Sequence, residues 1–108
     1  MGFRERIAAN AQQHLAPGEK VEGVFAAQNA KVFRTSNRYR TVVATTQRIL
    51  VFDSGTFSQT KTKELLAELP RTTRLGPASG LWHAIPFGNE TLFVNRRYHR
   101  DVEAIDAR

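Results

Sequence analysis

The chain has no cysteine. That removes disulfides, thiolate metal sites and cysteine nucleophiles together, and it fits a reducing cytoplasm. No apolar run approaches the ~20 residues needed to span a bilayer. The first residues, MGFRERIAANAQQHLA, lack the continuous apolar stretch of a secretory leader. They open with Met-Gly, but Arg6 stands where an N-myristoylation site needs Ser or Thr. The expected location is therefore cytoplasmic, with any membrane contact peripheral at the inner face. Internal repeats and low-complexity tracts are missing too.

Catalytic motifs are equally scarce. His14, His83 and His99 stand apart, with no HExxH or comparable ligand spacing. There is no GxSxG and no Gly-rich phosphate loop. No catalytic residue, metal ligand or cofactor site is expected, and the chain does not read as an enzyme. Asp53, Asp101 and Asp106 read as turn or helix-face residues. Acidic side chains are the minority, 10 against 16 Lys and Arg, giving a net charge of +6. Such a field favours anionic partners, and it also simply keeps a small domain in solution.

Strand chemistry fills much of the remainder. EKVEGVFAAQN, TVVATT and RILVFD are rich in Val, Ile, Phe and Thr and are bounded by turn residues. The last two read as a hairpin turning near Thr46-Gln47. RTTRL, LWHAIPF and ETLFVN follow at the spacing of an antiparallel meander. KELLAELP, residues 63–70, suits either a short helix or a buried strand. Helices are expected at both ends. Phe3, Ile7, Ala11 and Leu15 recur every four residues before Pro17-Gly18, and this narrow stripe is expected to dock onto the domain. Tyr98, Val102 and Ile105 share one face of YHRDVEAIDAR. The length, 108 residues, suits one domain. The division expected is an N-terminal helix over 1–17 and a β-rich domain over 18–108.

Three local features carry a resemblance. They are LAPGEKVEGVF, the Thr-x-x-Arg turn and apolar strand of TTQRILVFDSG, and the closing ETLFVNRRYHRDVEAI. Together they resemble the bacterial pleckstrin-homology-like domains and the related GRAM domains, over residues 15 to 108. The resemblance implies a mainly β barrel of two near-orthogonal antiparallel sheets with about seven strands. A C-terminal helix caps it, and residues 63–70 form a strand. It also implies a non-catalytic binding module without naming the ligand.

Two surfaces are candidates. The first is the basic hairpin KVFRTSNRYR. Lys31, Arg38 and Arg40 match the loose pattern with which pleckstrin-homology domains grip phosphoinositides, and Arg34 assists. Arg38 and Arg40, two apart on a strand, leave the same face. Guanidinium forks chelate phosphate, so an anionic membrane surface or a phosphorylated ligand is the expected partner. The second is Trp82, the only tryptophan. Alternation puts it with Ala84, opposite Leu81, His83, Ile85 and Phe87, the better core set. Trp82 then marks either an interface with a protein partner or a second copy, or a contact beneath the N-terminal helix. Arg96, Arg97 and Arg100 read as a solvated helix start partly paired with Asp101 and Glu103. Nucleic acid is not the expected partner, because no nucleic-acid signature accompanies them.

Overall fold

Alternating apolar side chains along β-branched segments build one antiparallel sheet, and two short amphipathic helices cover parts of it. The computed structural model describes residues 2–29, 38–55, 60–87 and 90–108. Helix α1 spans Phe3–Ala11 and continues as a 3₁₀ turn to His14. Six strands follow: β1 Val21–Gln28, β2 Tyr39–Thr45, β3 Arg48–Gly55, β4 Glu64–Pro70, β5 Trp82–Phe87 and β6 Glu90–Asn95. A 3₁₀ turn over Arg96–Tyr98 leads into helix α2, His99–Asp106. The strand order is β4-β3-β2-β1-β6-β5. None of the described helices is long and apolar enough to cross a membrane.

The sheet curls into a half-barrel. Leu69 of β4 and Ile85 of β5, from opposite edges, line one interior with Phe25, Val42 and Val51. On this inner side the core gathers Phe25, Ile49, Val51, Leu92, Val94 and, from α2, Val102 and Ile105. The outer side of β1–β3 presents Val24, Val43, Leu50 and Phe52, which Ile7 and Ala11 of α1 cover. The stripe expected at Phe3, Ile7, Ala11 and Leu15 is thus the docking face, with its two middle residues fully buried. Among the described residues β1 and β6 share a single pair, Gln28 with Phe93.

Two expectations change. Residues 63–70 hold a strand, β4, as the resemblance implies, and not a helix, but the strand is an exposed edge rather than a buried one, with a register shift between Val51 and Phe52 opposite it. The shift leaves Leu66 extra and breaks the alternation that marks a strand. RTTRL is not a strand, so six strands stand where about seven were expected. Its segment is tethered across the α2 end instead. Arg71 donates from Nε to the Thr45 carbonyl at 2.9 Å and from Nη1 to the Ile105 carbonyl at 3.2 Å. The Asp106 carboxylate accepts the Leu75 and Gly76 amides at 2.9 and 2.8 Å. His83, facing the Leu75 carbonyl at 2.7 Å, donates from Nε2. Gly23 lets α2 sit close, because a Cβ there would come 2.7 Å from Ile105 Cγ1.

Candidate functional site

The basic hairpin comes first. Lys31 and Arg34 lie outside the described residues. Arg38 and Arg40 are brought together at the end of the half-barrel away from α2, on one carboxylate. Arg38 donates to Asp53 from Nε at 3.1 Å and from Nη2 at 2.7 Å. Arg40 donates to Asp53 from Nη1 at 2.9 Å and to Glu90 from Nε at 3.0 Å. The Gly55 amide adds a fourth bond to Asp53 at 3.1 Å. Arg38, then Gly55 and Arg40, hold Asp53 below the usual carboxylate range against the opposing effect of burial. Two cations and two carboxylates sum to zero. Asp53, read from sequence as a turn residue, sits inside β3 as the hub of this cluster.

Position separates the two arginines. Only 9% of the Arg40 side chain is exposed, against 43% for Arg38. Exposed pairs contribute under about 1 kcal/mol, whereas removing one partner of a buried pair strands the other. We expect Arg40→Ala to cost about 2 kcal/mol of unfolding free energy and Arg38→Ala well under 1. Urea unfolding of both variants checks this, and equal losses would contradict it.

A second charged cluster joins two of the motifs singled out in the sequence. Glu19, from LAPGE, accepts Arg48 Nε at 2.9 Å and Nη2 at 3.0 Å, the Ala16 amide at 2.9 Å and the Thr45 hydroxyl. The Thr45 hydroxyl also accepts the Gln47 and Arg48 amides, closing the β2–β3 turn. Arg48 further bonds Glu68 and the His14 carbonyl. The Thr-x-x-Arg turn is therefore a structural clamp. Arg48's bonds hold the Glu19 carboxyl at a pKa of about 2.

The remaining site is a groove. The outer face of the sheet continues past α1. Ala26 and Gln28 follow Val24 by alternation, Tyr39 pairs with Gln28, and Trp82 pairs with Asn95. Here Tyr39, Trp82, Phe93 and Tyr98 line a hollow of about 130 Å³ with Gln28, Asn95 and Arg97. A second hollow shares Arg97 and Tyr98 with it and reaches Phe3 and Arg4 of α1. Phe3 stacks on Tyr98 with centroids 5.7 Å apart. The Arg97 guanidinium lies 5.9 Å above the Tyr98 ring. Among the described residues no carboxylate lines either hollow.

No family model, curated protein or solved structure matches this chain.

Trp82 is half-buried in this groove and is not among the residues packed beneath α1. Sequence reasoning singled out Trp82 and, separately, Arg97 and Tyr98, but not that they meet. Tyr39, Phe93 and Arg97 come from other strands and a turn, and no local spacing links them to position 82. Asp101, expected near Arg96, Arg97 and Arg100, instead takes Arg4 Nε at 2.7 Å and Nη2 at 2.8 Å. Among the described residues those three arginines have no carboxylate within ion-pair distance.

Proposed function

We propose that the chain is a non-catalytic interaction module that holds an anionic partner in the groove around Trp82. The observation that carries this is the convergence of Tyr39, Trp82 and Phe93 with Arg97 and the α1-stacked Tyr98 on one groove, with no carboxylate in its lining among the described residues. The hollow at Trp82, about 130 Å³, adjoins the second, about 410 Å³, through Arg97 and Tyr98, and both open to solvent, which suits an extended partner lying along the surface. The pleckstrin-homology-like architecture belongs to the same proposal. Among the described residues the strand order, the helix at one end and the one pair joining β1 to β6 support it, while six strands fall short of it.

A second reading keeps anionic lipid headgroups at Arg38 and Arg40. The exposed guanidinium of Arg38 favours it. A headgroup held by both arginines competes with Asp53, which both already bond, and this ranks the reading below the groove.

Trp82, as the only tryptophan, reports on the groove directly. Its emission is followed with a single-stranded oligonucleotide, a poly-glutamate peptide and phosphatidylserine vesicles. We expect a saturable change with at least one of them, lost in Arg97→Glu. Silence with all three overturns the groove reading. Vesicle binding that survives Arg97→Glu but is lost in Arg38→Ala/Arg40→Ala establishes the second reading instead.

A further inference from the structure

We infer that the occupant of the groove is single-stranded nucleic acid; this rests on the groove being the binding surface. Single strands are gripped by aromatic platforms that stack on bases and by cations that follow the phosphates. The groove brings these together. Tyr39 and Trp82 are half-buried and make no ring–ring contact among the described residues. Arg96, Arg97 and Arg100 are exposed, lie within five residues of chain and have no carboxylate within ion-pair distance among the described residues; of the three, Arg97 lines the groove. Arg97 lines both hollows, and the Arg96 amide donates to the Leu81 carbonyl at 2.9 Å, beside the start of β5. The amide side chains of Gln28 and Asn95 can each donate and accept at a base edge.

Other anionic partners use less of this arrangement. An acidic peptide engages the arginines without needing the aromatic rings. A bilayer is flat and is entered by protruding apolar groups, whereas these rings line a concavity. A chain with planar groups and a phosphate at every step engages both sets at once.

The experiment is fluorescence anisotropy of an end-labelled oligo(dT) of about 12 nucleotides, within the length one small domain covers. Trp82 emission is read in parallel. Arg97→Glu, Trp82→Ala and a distant charge reversal, Lys20→Glu, are compared with wild type, and the melting temperature of each variant confirms folding. We expect saturable binding that quenches Trp82. A duplex of the same length is expected to bind about tenfold more weakly, because its bases are not free to stack. Three phosphate contacts predict about 20-fold weaker binding on going from about 50 to about 200 mM salt. Arg97→Glu and Trp82→Ala should each weaken binding at least about tenfold, since a stacking platform contributes roughly ten- to a hundredfold per base. Lys20→Glu should change it by less than about threefold, as a distant charge does. No binding overturns the inference, and so does binding that Lys20→Glu lowers as much as Arg97→Glu. If the peptide or the vesicles alone quench Trp82, the inference fails while the groove reading stands. If nothing does, both fail.

Discussion

Glu19→Ala is expected to lower the unfolding free energy by about 3–5 kcal/mol, the cost of leaving a buried ionic partner uncompensated. The Glu19 side chain is fully buried, and Arg48 keeps only a quarter of its side chain exposed. Removing the carboxylate leaves Arg48 with only the half-exposed Glu68 and the His14 carbonyl, and takes a partner from the Ala16 amide and the Thr45 hydroxyl together. At about 4–8 °C per kcal/mol for a domain of this size, the melting temperature should fall by about 15 °C or more. The pH dependence has a definite sign. The carboxyl has an ordinary pKa of 4.5 and one of about 2 in the folded chain, chiefly through Arg48. Its stabilisation is fully present above pH 4.5 and is lost as pH falls from there toward 2. Glu19→Gln cannot lose what it lacks. Thermal melts at a series of pH values should therefore show the gap between wild type and Glu19→Gln closing over that window. A gap that stays constant down to pH 2 would mean that the clamp does not depend on the charge of Glu19.

Gly23→Val carries the second-largest expected effect, about 3 kcal/mol of destabilisation, at the upper end of what overpacking costs. The nearest atom is not the tip of a flexible side chain: Ile105 is buried, and its Cγ1 lies 2.7 Å from where a Cβ would sit. Either the strand or helix α2 has to move. Space returns if Ile105 is shortened, so Gly23→Val/Ile105→Ala should be more stable than the sum of the two single losses. A double-mutant cycle by urea denaturation measures that coupling. Simple additivity would place the strain elsewhere.

Much of the fold was legible because local pattern and burial agree. TVVATT and RILVFD form the hairpin read from their composition, turning at Thr46-Gln47. Val102 and Ile105 of α2 and Tyr98 of the 3₁₀ turn before it are buried, as their spacing predicts. KELLAELP resisted because an edge strand need not alternate where one residue is extra, and its leucines at 65 and 66 stay exposed. RTTRL misled for another reason. Its order comes from Arg71 and Asp106 reaching across the end of the half-barrel, contacts far apart in sequence.

The candidate site was legible only in part, for the same physical reason. Arg38, one residue before β2, and Arg40 within it share Asp53, but nothing local announces that Asp53 and Glu90 neutralise them. Ion pairs across 13 or 50 residues leave no periodicity behind. Trp82 stood out by rarity. The groove that gives it meaning is assembled from positions 39, 82, 93 and 98, and only the sheet order brings those together.

That order also gives the groove a mechanical character. Ala26, Gln28 and Tyr39 belong to the ladder of β1–β4, whereas Trp82, Phe93 and Asn95 belong to the hairpin of β5 and β6. Among the described residues one rung, Gln28 with Phe93, fastens the two plates, and the groove straddles it. Whatever lies across the groove touches both ladders at once, so by linkage its binding and their joining favour each other.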